Sequence, residues 1–192
     1  DHVNVFPTFA DYEAPFRELL RLLPADGLLV AREHPAIRAI AGEAPSRIAW
    51  YDTERCEGWW AQDVTYGDVT RFTLVRPDGG RIALSTSLLG EHNIENIVGI
   101  AALLLSKKLL TPDELAKGVA SFEGVKRRME LLSPKSKVPV LEGFGSSYEK
   151  SRAAMGAMKL HFPNRRLIVV FEPHTFSWRN RDAISWYEDV FS

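Results

Sequence analysis

In the first half of the chain, the spacing of apolar and polar positions changes near residue 58, from helical spacing and short apolar runs to alternation. Residues 9–24 place apolar side chains at helical spacing, residues 26–32 and 47–52 are short apolar runs, and residues 34–42 predict a short helix between them. This order of helix, strand, helix and strand is typical of a parallel α/β layer. Residues 58–88 alternate instead, with turns at 66–68 and 77–80, which predicts a β-meander or a pair of hairpins.

Two helices are predicted next, over residues 91–108 and 111–122. The first is apolar after its opening turn, and the second begins with a recognisable start signal. Thr111 is the predicted N-cap, Pro112 occupies the first helical position, and Glu114 completes a capping box.

The remainder of the chain predicts strands and helices in alternation. A strand follows Gly124, a turn at 133–137 leads to a second strand at 138–144, and a helix covers 147–162. A third strand is predicted at 165–173, and a last helix begins near Asn180. This order favours the front of a dinucleotide-fold-like sheet, in which ligands lie at the carboxyl ends of strands. Those ends are residues 142–148 and 171–181.

Composition narrows the class of protein. The chain has 192 residues, of which 45% are apolar, enough for one full core or two small ones. Basic and acidic residues nearly balance at 24 and 25, and no long basic run indicates a nucleic-acid partner. A single cysteine excludes an internal disulfide framework and a cysteine-based zinc cage. With no membrane-length apolar run and no secretion signal, we expect a cytoplasmic protein without a membrane partner.

The opening turn of the 91–108 helix is unexpectedly polar, because it carries His92, Asn93 and Asn96. Asn93 and Asn96 are three residues apart and therefore share one helix face. One interpretation is that one of them caps the helix and the other is solvated. The alternative is that the two carboxamides, each a donor and an acceptor, bind the edge of a purine such as adenine.

A basic pair, Arg127 and Arg128, follows Gly124 at a helix-to-strand junction. It is either a solvated corner or a phosphate-binding element, since guanidinium groups bind phosphate bidentately.

The ordered motifs resemble those of the Mur ligases, ATP-dependent amide-forming enzymes of bacterial peptidoglycan assembly. The resemblance covers nearly the whole chain: "DHVNVF" at the start, then "GEHNIENIVGIAA", "SFEGVKRRMEL", "VPVLEGFGSSY" and "RRLIVVFEPHTFSWRNR". It implies an α/β fold in which residues 1–123 are the back half of a central ATP-binding domain and 124–192 begin a Rossmann-like carboxy-terminal domain.

The resemblance also implies site residues and cofactors. Asn93 and Asn96 would contact the adenine of ATP, Arg128 would bind its phosphates and act in catalysis, and His2 would help to hold Mg²⁺. His92 would orient its turn, whereas His34 and His161 match no motif and are predicted to lie at the surface. The substrate-binding positions implied by the resemblance are Ser146, Ser147, His174, Thr175, Ser177 and Arg179.

This sequence departs from the family pattern at the 142–148 loop. Gly143 stands where an acid near the ribose is usual, and Ser146 and Ser147 replace a histidine pair. Glu142 or Glu149 could compensate for the missing acid, and Ser147 could instead cap the helix that follows. The sequence also has no Gly-x-x-x-x-Gly-Lys-Thr/Ser phosphate loop. We therefore expect the chain to be part of a longer protein and to be inactive by itself.

The segment 171–181 resembles most closely the branch of the family that joins a recycled tripeptide to UDP-N-acetylmuramate. One alternative is the sibling that adds L-alanine to the same nucleotide sugar, or another Mur-type ligase. A second alternative is a non-catalytic nucleotide- or peptide-binding module. The implied partners are small molecules, namely UDP-N-acetylmuramate and an amino acid or peptide.

Overall fold

Residues 9–51 form the predicted α/β layer. The computed structural model describes residues 5–133 and 135–192, without the side chain of residue 182. Helix α1 (Phe9–Arg21) begins at a capping box formed by Thr8 and Asp11. Strand β1 (Leu28–Arg32), helix α2 (Pro35–Ala41) and strand β2 (Arg47–Tyr51) follow. β1 and β2 are parallel, as predicted.

The alternating segment that follows is a three-stranded antiparallel meander. It consists of β3 (Trp60–Thr65), β4 (Thr70–Val75) and β5 (Arg81–Thr86), in that spatial order. A parallel bridge between Tyr51 and Trp59 connects β2 to the start of the meander. The predicted meander is therefore confirmed.

Helix α3 (Glu91–Ser106) supplies the centre of the main core. Its buried residues recur at helical spacing and pack against the inner face of the meander: Ile94, Ile97, Val98, Ala101 and Ala102. A methyl group added at Gly99 would lie 2.9 Å from Cζ of Tyr51, so this glycine allows α3 to approach β2 closely.

Helix α4 (Pro112–Ser121) covers the meander beside β5 and contributes Leu115 to the core. Its predicted capping box is confirmed, because Thr111 accepts from the Glu114 amide and the Glu114 carboxylate accepts from the Thr111 amide.

The carboxy-terminal part contains one hairpin and a series of helices. β6 (Arg128–Leu131) pairs with β7 (Leu141–Gly143), and α5 (Tyr148–His161) follows. The pairing is antiparallel, and β7 covers only three residues of the predicted 138–144 strand. A short helix α6 (Phe176–Arg179), a 3-10 turn (Arg181–Ala183) and α7 (Ile184–Phe191) complete the described chain.

One prediction for this part, the strand at 165–173, is wrong. Residues 166–174 form no strand, and Ile168 and Val170 are 77% and 96% exposed. A strand requires a hydrogen-bonded neighbour, and no described segment pairs with these residues. The last helical segment begins near Asn180, as predicted, because the 3-10 turn at Arg181–Ala183 leads directly into α7.

The predicted α/β class is confirmed, with separate parallel and antiparallel sheets and helices packed against them. Within residues 5–133 and 135–192, no helix combines the length and the apolar character needed to cross a bilayer.

Candidate functional site

The polar first turn of α3 is held together by its own side chains. The N-cap of the helix is Gly90, which has a φ of 87° and makes no side-chain capping bond. Asn93 Nδ2 donates to the Leu89 carbonyl oxygen over 2.8 Å and lies 3.3 Å from Nε2 of His92. Neither asparagine caps the helix, so the capping interpretation of this pair is wrong.

His92 supports the turn rather than opening toward solvent. Burial lowers the pKa of its imidazole, because the charged form is penalised away from water. At neutral pH the ring is therefore uncharged, and its Nε2 can accept the hydrogen bond from Asn93.

The two carboxamides retain hydrogen-bonding capacity. Both contacts of Asn93 use its amino group, and its Oδ1 has no partner among the described residues. Asn96 is exposed and makes no side-chain hydrogen bond within the described part of the chain. A donor–acceptor pair on Asn96 and an acceptor on Asn93 are thus presented side by side on one helix turn.

A cleft of about 1480 Å³ is lined by residues of this turn and of the carboxy-terminal part. His92, Asn93 and Asn96 lie along one wall, and Arg128 and residues of β7 and α5 lie along the others. The structure therefore brings together all three predicted nucleotide-binding residues, Asn93, Asn96 and Arg128, around one space.

Arg127 and Arg128, the basic pair at the helix-to-strand junction, have different surroundings. Arg127 pairs with Glu142 over 3.3 Å, and its guanidinium lies 5.5 Å from the ring centroid of Phe144. Arg128 is exposed, lines the cleft and has no carboxylate partner in the described part of the chain. Arg128 is thus the arginine with a guanidinium available to an anionic ligand.

Glu142 and Glu149 are the two acids that could replace the carboxylate missing at Gly143, and the ion pair between Arg127 and Glu142 distinguishes them. Glu142 is engaged by Arg127, and Glu142 does not line the cleft. Glu149 is exposed in the first turn of α5, lines the cleft and has no hydrogen-bond partner among the described residues. Of the two, Glu149 is the better placed to reach a ligand in the cleft.

The loops at 142–148 and 171–181 lie in contact, although the segment before the second loop is not a strand. Thr175 Oγ1 donates to the Ser146 carbonyl oxygen over 2.9 Å. The rings of Phe144 and His174 are 4.7 Å apart. The structure therefore brings the predicted substrate-binding residues Ser146, His174 and Thr175 together.

The other predicted substrate-binding residues differ in position. Ser147 is buried and accepts from the Lys150 amide as the N-cap of α5, so the capping alternative is confirmed. Ser177 and Arg179 lie on α6, where Arg179 is exposed. Trp178 between them is buried against Phe171 and Tyr187, and this packing anchors α6.

Two features of the region were not predicted. Lys150 Nζ donates to Ser146 Oγ over 2.9 Å and lines the cleft, which places a cation beside the carboxy-terminal loops. His161, predicted to lie at the surface, is buried at 9% exposure, and both ring nitrogens contact backbone groups distant in sequence. The partners of His161 are distant in sequence, so no local spacing indicates them, whereas Lys150 is only four residues after Ser146 and their contact could have been predicted from that spacing. His34 is exposed, as predicted, and caps α2.

The predicted metal ligand, His2, lies outside the described residues. Within the described ranges, no group of three or more His, Cys, Asp or Glu side chains could hold a metal ion. The prediction for His2 therefore stays a prediction.

Comparison with known proteins identifies relatives over the whole chain. A UDP-N-acetylmuramate–L-alanine ligase of Xanthomonas axonopodis pv. citri is 32% identical over 200 aligned residues, covering 100% of this chain and 42% of that protein. The same ligase from Xanthomonas oryzae pv. oryzae is also 32% identical, with the same coverage. The chain thus spans less than half the length of the curated relatives it matches.

Solved structures share the fold. The UDP-N-acetylmuramate–alanine ligase of Thermotoga maritima superimposes with a TM-score of 0.73 at 17% identity, over 90% of this chain and 39% of that one. The first 104 residues match the family model described as the Mur ligase middle domain. This match covers more than half of the 192 residues, and the chain therefore belongs to the Mur ligase family.

Proposed function

We propose that this chain is part of an ATP-dependent ligase of peptidoglycan assembly that joins an amine to the carboxylate of UDP-N-acetylmuramate. The observation that carries the proposal is the single cleft that Asn93, Asn96 and Arg128 all line. Relatives that are 32% identical over the whole chain are UDP-N-acetylmuramate–L-alanine ligases, which supports the same reaction class.

The residues around the cleft fit a nucleotide. The carboxamide of Asn96 and the Oδ1 of Asn93 match the amino donor and ring-nitrogen acceptor of an adenine edge. Arg128 has no carboxylate partner in the described part of the chain, so its guanidinium can bind phosphate oxygens. Glu149 is available for a ribose hydroxyl, in place of the acid missing at Gly143.

ATP, when bound with Mg²⁺, supplies the phosphoryl group that activates the sugar carboxylate for attack by an amine. Asn93 and Asn96 hold the base, and Arg128 stabilises negative charge at the phosphates by fixed electrostatics. The 142–148 and 174–179 segments bind and orient the amine substrate, with Thr175 bonded to Ser146 to keep the two loops together.

Two amine substrates remain as candidates. L-alanine is favoured because the relatives from Xanthomonas are L-alanine ligases. The tripeptide L-alanyl-γ-D-glutamyl-meso-diaminopimelate is favoured by the sequence of residues 171–181, whose exposed His174 and Arg179 suit a larger, acidic substrate. Measuring phosphate release by the product of the complete reading frame, with UDP-N-acetylmuramate and either amine, distinguishes them.

The nucleotide assignment has its own test. Asn96→Ala in the product of the complete reading frame is expected to weaken ATP binding about tenfold, since one hydrogen bond to the ligand contributes about 1.4 kcal/mol. Asn164→Ala is the matched control, because Asn164 is exposed and does not line the cleft. Calorimetric titration with ATP measures both. Equal ATP affinities in the two variants would show that Asn96 is a solvated surface residue that does not bind the nucleotide.

A simpler expectation concerns the 192-residue chain alone. Because its sequence has no Gly-x-x-x-x-Gly-Lys-Thr/Ser loop to hold the β- and γ-phosphates, the purified chain should release no phosphate from ATP. Steady turnover above a buffer blank would contradict this expectation.

A further inference from the structure

His161 connects three segments that are far apart in the sequence. It lies in the last turn of α5, where its Nε2 accepts a hydrogen bond from the Gly90 amide over 3.0 Å. Its Nδ1 lies 2.9 Å from the carbonyl oxygen of Gly67 in the β3–β4 turn. One buried side chain therefore joins the carboxy-terminal part to the start of α3 and to the meander.

The two partners determine the protonation state of the ring. The Gly90 amide can only donate, so Nε2 must be unprotonated, and the Gly67 carbonyl can only accept, so Nδ1 must carry the proton. His161 is thus the neutral Nδ1–H tautomer. A second ring proton would direct an N–H group at the N–H group of Gly90 and break that bond.

The surroundings of the ring are closely packed. A methyl group added at Gly90 would lie 2.7 Å from Cβ of Ala157, one turn before His161 on α5. The ring of Tyr66 meets the imidazole edge-on, with centroids 5.4 Å apart. Because little space surrounds these groups, a movement of α5 is transmitted to Gly90 rather than absorbed.

Gly90 is also the residue from which α3 begins. The Gly90 carbonyl accepts from the Asn93 amide over 3.2 Å, and no side chain caps the helix. The hydrogen bond from Gly90 to His161 therefore fixes the starting point of the turn that carries Asn93 and Asn96, from outside the helix.

We propose that His161 is a positioning residue, which holds the Gly90 amide and thereby sets the first turn of α3 relative to α5. The contact itself is independent of any ligand, whereas its effect on nucleotide affinity rests on the function proposed above. In that function, His161 couples the turn that binds the base to the helix that follows the substrate-binding loop.

Nuclear magnetic resonance of the 192-residue chain tests the contact. The wild-type ring should show the nitrogen shifts of a neutral Nδ1–H imidazole. His161→Leu removes both hydrogen bonds and should shift the amide signals and increase the amide exchange of Asn93 and Asn96. His161→Gln keeps a donor and an acceptor, and should give a smaller change.

The matched control is His34→Asn, which removes an exposed imidazole but keeps an acceptor for the α2 cap. This control should leave the α3 signals unchanged. If His161→Leu folds and leaves the Asn93 and Asn96 amides as they are in the wild type, the positioning role is overturned. If His161→Leu does not fold, the ring tautomer of the wild type and the His161→Gln spectra decide the same question.

Nucleotide affinity, and its recovery by a conservative variant, distinguish positioning from simple packing. In the product of the complete reading frame, His161→Leu should weaken ATP binding about three- to tenfold, because the first turn of α3 loses its contact with α5. His161→Gln keeps a donor and an acceptor, and should recover most of the affinity.

Equal ATP affinities in the wild type and His161→Leu would overturn the positioning role, and so would equal losses in His161→Leu and His161→Gln. If the wild type binds no ATP, the proposed function fails, and the resonance measurements still decide the inference about His161.

Discussion

Ile94 and Ile168 belong to two apolar segments with opposite outcomes. Ile94 on α3 is 1% exposed, whereas Ile168 in the segment after α5 is 77% exposed. α3 satisfies its backbone hydrogen bonds internally and buries one face against the meander. Residues 166–174 could be buried only if a neighbouring strand replaced water as the partner of their backbone groups, and none lies beside them among the described residues. An apolar run thus predicts a tendency to be buried, and a partner decides whether burial occurs.

Substituting alanine at Ile94 and at Ile168 should give the largest difference in stability between the two segments. Ile94→Ala is expected to lower the free energy of unfolding by about 2–5 kcal/mol, because it leaves a cavity in the core. Ile168→Ala is expected to change it by no more than about 0.5 kcal/mol, as at other exposed positions. Urea denaturation of the chain measures both. Similar losses would mean that Ile168 is buried in solution.

A smaller effect is expected where the two parts of the chain meet. Gly90→Ala should destabilise the chain by about 1–3 kcal/mol, since φ is positive and the new methyl group would clash with Ala157. Gly118→Ala on α4 is the matched control, because a methyl group there meets nothing within 4 Å. This control should be stabilising by about 0.5–1 kcal/mol, as expected for glycine within a helix. A neutral Gly90→Ala would indicate that α5 does not pack against α3.

The smallest expected effect is local to α4. Hydrogen bonds from the Thr111 amide and hydroxyl lower the pKa of the Glu114 carboxyl. A lowered pKa in the folded state contributes stability above the unfolded pKa, and this contribution is lost as the pH falls through the folded value. Acidification should therefore loosen the first turn of α4, seen as faster amide exchange at Glu114. Glu114→Gln should remove this pH dependence, and an unchanged dependence would assign it to another group.

Much of α3, α4 and the meander could be predicted, because the sequence patterns that specify them involve residues close together in the chain. The capping box at Thr111 and Glu114, the helical spacing in α3 and the alternation of the meander each depend on neighbours in sequence. The 165–173 strand was predicted from equally apolar residues and is wrong, since strand formation depends on a distant partner.

The sequence could identify several residues of the candidate site, but fewer of the contacts between them. Asn93, Asn96 and Arg128 could be selected by motif spacing, and the structure brings them to one cleft. The different environments of Arg127 and Arg128 could not be predicted, because they depend on Glu142 in the opposite strand of the hairpin. From the sequence, Ser147 was either a substrate-binding residue or the cap of α5, and the hydrogen bond that it accepts from the Lys150 amide shows the capping role.

The sequence by itself determined where helices and the meander form, and which polar residues stand at the start of α3. Those features depend on periodicity and capping, which act over a few residues. Only the tertiary structure decided which apolar segments are buried, which arginine faces the cleft, and that His161 joins α5 to Gly90. The physical reason is that burial and long-range hydrogen bonds depend on which surfaces meet, and this information is spread over residues far apart in the chain.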